Sequence, residues 1–383
     1  MKQNSLFLLI FSIFLGCYNP ALAQKKQVAK ALKAIMSKYE TVGLSVAVLK
    51  KEKMIYNKSF GWKDIAKRKK IRNKDIFRIA SISKSFTVTS LMQLVEAGKL
   101  TLSDDVSDLI GFKVRNPRFP DRKITLEMIL SHRSSLSDKN GYFTLDVVNP
   151  AKNPEWEKCY NAYAPGEDYE YCNLNFNIAG TILEKISGER FDRYVKEHIL
   201  DPLGLYGGYW VDGLDSNRFV KLYEYDSLSA QFKEAKAAYA PRREEIANYR
   251  MGYSAPIFSP TGGMKISARN LAKYMGMHMY YGSFKGKRII ADSSSRRMQR
   301  PLTEKSGYGL ALWVDNDMLP GKELHGHTGS AYGLYSAMFF QPDEQYGFVV
   351  ITNGIHTTEE KIIDAFRRDC IKTLYQHFIA AGN

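Results

Sequence analysis

The chain has 383 residues, with 55 Lys and Arg against 40 Asp and Glu, a formal charge of +15. Hydrophobic content of 44% and charged content of 25% are those of a globular enzyme with a large core, and disordered or fibrous classes are excluded. No internal repeat or low-complexity linker is present, and no nucleic-acid fold signature accompanies the positive charge, so nucleic acid is not an expected partner.

The chain opens with Lys2, an apolar run from Leu6 to Leu15, and Ala21-Leu22-Ala23 before Gln24. This is the pattern of a secretory signal over residues 1–23 with an A-x-A cleavage site, and the run is short for a membrane span. It predicts an exported protein, periplasmic or extracellular. Cys17, after Leu15-Gly16, offers a lipid anchor as the alternative, although Phe14 fits a lipobox poorly. Beyond the signal, Cys159, Cys172 and Cys370 remain, an odd number. A Cys159–Cys172 disulfide and three buried thiols are both open.

Residues 25–39 read as an amphipathic helix, followed by alternating strands at 44–50 and 54–62. The basic run Lys67-Arg68-Lys69-Lys70, with Arg72 and Lys74, reads as a solvated loop, with peripheral attraction to anionic envelope material as the functional alternative. A helix is predicted from Ile82 to Ala97, with Phe86, Leu91, Leu94 and Val95 on its apolar face and Gly98 as its cap. Helices follow at 174–186 and 190–199, and 206–258 reads as irregular loops. The C-terminal part gives strands at 334–340 and 348–352 and a helix over 358–378. The expected fold is α+β: an antiparallel sheet flanked by helices, from about 24–95 and 269–383, with a mainly helical insertion over 96–268.

Three motifs carry the chemistry. In Ser81-Ile82-Ser83-Lys84 a helix would put the hydroxyl and the amine on one face, near a helix N-terminus that favours an oxyanion. Lys84, crowded by apolar neighbours, could lose enough solvation to act as a neutral base. In Tyr171-Cys172-Asn173 the Tyr could relay a proton, its pKa pulled down by a neighbouring ammonium, while Asn173 holds the lysine or a substrate amide. In His327-Thr328-Gly329-Ser330, Gly329 allows close backbone approach, Thr328 offers a hydroxyl, and the Ser330 N–H joins that of Ser81 as an oxyanion donor. His325 and His327 lack a third metal ligand, so neither metal nor organic cofactor is expected.

These segments resemble the serine hydrolases that include class C β-lactamases, D-alanyl-D-alanine carboxypeptidases, D-aminopeptidases and related esterases. The resemblance spans Phe77–Thr87, Glu96–Asp105, Ile129–Leu136, Pro165-Gly166, Ile186-Ser187-Gly188, Pro202–Leu205 and Pro260–Met264. Ser135 stands where Gly is usual, and Cys172 where Ser is common. The resemblance implies Ser81 as the acylated nucleophile, Lys84 and Tyr171 as the general-base pair, and a cleft between two structural parts. His327 replaces the Lys of class C β-lactamases, which weakens the attraction for a β-lactam carboxylate. The expected activity is acyl-enzyme hydrolysis of D-amino-acid-containing peptides, such as cell-wall peptide, or of small esters and amides. A class C-like β-lactamase and a penicillin-binding or sensor protein without turnover are the alternatives.

Overall fold

The computed structural model describes residues 20–303 and 306–380. The apolar run from Leu6 to Leu15 and Cys17 lie outside the described residues. A seven-stranded sheet runs, edge to edge, through Trp313–Asp315, Leu324–Ala331, Leu334–Gln341, Tyr346–Thr352, Gly43–Lys50, Lys53–Asp64 and Lys69–Lys70. Every neighbouring pair is antiparallel.

Period-2 alternation explains how the central strands hold two layers at once. Leu44, Val46 and Val48 point to one face, where they pack with helices Pro20–Lys38 and Glu360–Phe378. Ala47 and Leu49 point to the other, towards helices Ser83–Glu96 and Ala268–Met279. Ile363, Phe366, Cys370, Ile371 and Leu374, at helical spacing, form the buried stripe of the last helix.

The basic run lies on the far edge. Lys69 and Lys70 form a two-residue exposed strand, and the Lys70 ammonium sits 3.1 Å from the Trp62 ring centroid. A short lysine-bearing edge discourages pairing with another chain.

Between the helix at 83–96 and that at 268–279 the chain forms the second part. Helix Asn173–Ser187 packs directly on Ser83–Glu96, and helix Phe191–Val195 runs on as a π-type turn over Lys196–Leu200. The segment 206–258 is more ordered than expected. It holds a hairpin, Tyr223–Asp226 with Gln231–Glu234, and the short helix Arg243–Ala247. A small ribbon joins Phe77–Arg78 and Gly207–Gly208 to the two edges of Lys265–Ile266, tying the segment before Ser81 to this part. Cys159, Cys172 and Cys370 are buried with free thiols. Among the described residues no helix is long and apolar enough to cross a membrane.

Phe348 is wholly buried in the middle of the sheet. Phe348→Ala should lower unfolding free energy by about 3–5 kcal/mol in chemical denaturation; a loss under about 1 kcal/mol would contradict this packing.

Candidate active site

The nucleophile sits on a strained turn rather than at the start of the helix. Ala80 takes φ 51°, a left-handed conformation costing on the order of 1 kcal/mol for a residue with a Cβ. Ala80–Ile82 is a 3₁₀ turn, and the helix begins at Ser83. Neighbours pin the turn: the Ile79 N–H donates to Met264 O at 2.9 Å, and Ser336 Oγ donates to Ile79 O at 3.1 Å. Ser81 is thereby presented to a cleft of about 1070 Å³ between the two parts.

Lys84, one turn into the chain's turn-and-helix segment, is completely buried. Its Nζ lies 3.1 Å from Ser81 Oγ, 2.9 Å from Asn173 Oδ1 and 3.0 Å from the Thr261 carbonyl oxygen. Burial pushes its pKa down to about 7, against a smaller upward pull from Asp138. A neutral amine carries two hydrogens and one lone pair. The Asn173 and Thr261 oxygens can only accept, so they take the hydrogens, and the lone pair is left for the Ser81 hydroxyl.

Asp138 determines which end of Asn173 faces the lysine. Its Oδ2 accepts from the Asn173 backbone N–H and from Asn173 Nδ2, both at 2.9 Å. Its Oδ1 accepts from the Leu174 N–H at 3.0 Å and from Cys172 Sγ at 3.3 Å. A carboxylate cannot face an amide oxygen, so Nδ2 turns to Asp138 and Oδ1 to Lys84. Asp138 also satisfies the open N–H groups of helix 173–187, whose own preceding residue supplies no side-chain cap.

Tyr171 lies over the same amine, with Lys84 Nζ 4.8 Å from its ring centroid. Its hydroxyl is buried without a hydrogen-bond partner at ordinary range. Burial pushes its pKa up, with Ser81 pulling the other way, so the downward shift expected from an adjacent ammonium does not occur. The neighbouring amine, its pKa pushed down to about 7, is only partly protonated near neutral pH. Tyr171 is therefore a phenol that can donate a proton, and Lys84 is the stronger candidate base.

The H-T-G segment is a strand, Leu324–Ala331, lying against the nucleophile turn. A Cβ on Gly329 would come within 2.3 Å of Ile79 O, so only glycine permits this approach. Thr328 and Ser330 line the cleft. His327 is buried and neutral: burial first, and Lys84 second, push its pKa down to about 3. Its Nδ1 faces the Thr328 carbonyl and so carries the proton, leaving Nε2 to accept from the Tyr308 hydroxyl at 3.1 Å. His325 points elsewhere, with Nε2 3.5 Å from Glu323. Among the described residues no three His, Cys, Asp or Glu side chains are placed to hold a metal.

Several contributors escaped the sequence reading. Asp138 lies two residues beyond the Ile129–Leu136 element, and an acidic residue so close to a motif was the available signal. The Thr261 carbonyl has no side-chain signature. Arg367, buried in the last helix, donates to Ser330 Oγ at 2.7 Å and to Gly329 O at 3.2 Å, bracing the strand from behind. Ser135, where glycine was anticipated, has φ 62°, and its hydroxyl accepts from Asn116 Nδ2 at 3.0 Å.

A two-part fold with a serine, a buried lysine and a tyrosine at its cleft is the arrangement that acyl transfer through a serine requires. The beta-lactamase pattern matches residues 28–371, and the chain belongs to that family. It is 22% identical over 350 residues to protein Flp of Staphylococcus aureus (strain N315), covering 86% of this chain and 63% of that protein. The chain thus spans under two thirds of the length of that curated relative. Penicillin-binding protein 4 of Amycolatopsis lactamdurans is 26% identical over 304 residues, with 73% and 72% of the two chains covered. The D-amino acid amidase structure from Ochrobactrum anthropi SV3 superposes with a TM-score of 0.70 at 19% identity, over 91% of this chain and 99% of that one.

Two consequences can be measured. If Lys84 is the base, the acylation rate should rise with pH through a single ionisation near 7, as the amine loses its proton. Asp138→Asn removes the charge that favours the ammonium, so the inflection should move to lower pH. The plateau rate should also fall, by about tenfold or more, as Asn173 loses its fixed orientation. An unchanged profile would contradict the role given to Asp138.

Proposed function

We propose that the protein is an exported hydrolase that forms an acyl-enzyme at Ser81 with D-amino-acid-containing peptides or with small amides and esters. The observation that carries this reading is the buried Lys84 amine, its two hydrogens engaged and its lone pair left to Ser81. Ser81 gives its proton to Lys84 as Oγ attacks the substrate carbonyl. The backbone N–H groups of Ser81 and Ser330 receive the oxyanion, and Thr328 and Asn173 hold the substrate. The proton on Lys84 passes through the Tyr171 hydroxyl to the leaving group, and water then releases the acyl group.

The name of the D-amino acid amidase supports substrates with a D-configured residue. A neutral His327 gives a β-lactam carboxylate no cation on this strand, which ranks β-lactam hydrolysis below the other reactions. Export, to the periplasm or the cell exterior, rests on the leading segment, with tethering through Cys17 as its variant.

Turnover of p-nitrophenyl acetate and of D-alanine p-nitroanilide, with penicillin adduct formation followed by intact mass, tests the reading. Both chromogenic substrates should turn over, and Ser81→Ala should lose at least about 10³-fold in kcat/KM while unfolding at the same temperature as the wild type. Retained turnover in Ser81→Ala would exclude the mechanism. A stable penicillin adduct with no turnover would favour the binding or sensor alternative.

A further inference from the structure

Past Ser81 the cleft continues into a side chamber of about 390 Å³. Arg78, Ser259, Thr261 and Tyr332 line both spaces, and Tyr209, Trp210 and Pro256 are among the residues walling the chamber alone. Arg78, Lys265 and Arg242 are the basic residues on its lining, and Arg242 is already paired with Glu245. Arg78 and Lys265 are register partners on the antiparallel strands Phe77–Arg78 and Lys265–Ile266, so their side chains leave the ribbon on the same face. Lys265 is only 4% exposed.

Neither Arg78 nor Lys265 has a carboxylate partner among the described residues. Arg78 Nε donates to Gly262 O at 2.9 Å, Nη1 to Ala238 O at 3.2 Å, and Nη2 more weakly to Ser259 Oγ at 3.4 Å. Two of its five N–H groups are left over. Lys265 Nζ donates to the Tyr209 carbonyl. The carboxylate on the chamber wall, Glu245, already forms an ion pair with Arg242. Like charges directly opposite on paired strands would repel, and burial raises the cost of charging both. Burial and the nearby Arg78 push the Lys265 pKa well down, against an upward pull from Asp192, so the chamber favours the neutral amine and a carboxylate beside it would restore the ammonium.

We propose that this chamber is a subsite for a carboxylate on the substrate, held between Arg78 and Lys265, so that the preferred acyl or peptide substrate is acidic. This rests on the Ser81 hydrolase reading and narrows its substrate class. The chamber meets the cleft at Arg78, three residues before the nucleophile and away from His327. It thus supplies a positive anchor that the H-T-G strand lacks. An anion there would favour a protonated Lys265 and accept the spare guanidinium N–H groups of Arg78.

The test compares kcat/KM for p-nitrophenyl hemiglutarate with that for p-nitrophenyl hexanoate, a neutral acyl chain of similar length. The wild type should favour hemiglutarate by at least about tenfold. Lys265→Met should bring the ratio within about threefold of unity, chiefly by lowering hemiglutarate turnover. Ala240→Glu, at the exposed lip of the chamber, places a competing carboxylate there without touching the core, and should cut the preference by threefold or more. A wild-type ratio near one overturns the proposal, as does a preference untouched in Lys265→Met. If Lys265→Met does not fold, an unchanged preference in Ala240→Glu does the same. Should neither ester turn over, the Ser81 reading fails, and calorimetry of glutarate binding decides the chamber separately. Submillimolar binding lost in the variants supports the subsite, and no binding overturns it.

Discussion

The site depends on keeping one amine out of water. An ammonium beside Ser81 would offer no lone pair, and a solvated lysine near neutral pH is an ammonium. Burial of Lys84 between two helices and the Pro260–Met264 turn makes the charged form costly. Around it the bonding capacity is fully allocated: Asp138 fixes Asn173, Asn173 and Thr261 hold the amine, and the hydroxyl faces what is left. The fold serves this arrangement, because the helices at 83–96 and 173–187 must pack closely for Lys84 and Asn173 to meet.

The cleft is rigid where chemistry happens and roomier where substrates differ. Ala80 is held in a left-handed conformation by bonds to its neighbour Ile79 from Met264 and Ser336, and Gly329 lets the facing strand approach the same turn. Strain of this kind persists only where surrounding structure over-determines it, and here it sets Ser81 at the cleft wall. Beyond Arg78 the walls come from the Tyr-rich segment 206–258, outside the sheet core, where change costs little stability.

Much of this was legible from the sequence. The alternation at 44–50 and the apolar stripe at 363–374 each specify their elements through burial on a fixed period. Ser81, Lys84, Tyr171, Asn173 and His327–Ser330 could be named because their spacing implied shared chemistry, and the structure brings them to one cleft. What could not be read depends on contacts between distant segments. The Thr261 carbonyl has no residue signature, and Arg367 braces Ser330 from 37 residues away. The direction of the Tyr171 shift is set by the burial of its own hydroxyl, which packing between distant segments decides. The hairpin at 223–234 was missed because its strands are four residues each and largely polar.

The protonation state of Lys84 is the most direct test of the account. In protein labelled with ¹³C at lysine Cε, the Lys84 resonance can be identified by its loss in Lys84→Arg and followed against pH. A midpoint near 7, well below that of the surface lysines, is the predicted result. A Lys84 that stays an ammonium up to pH 10 would contradict its role as the base and require another group to activate Ser81.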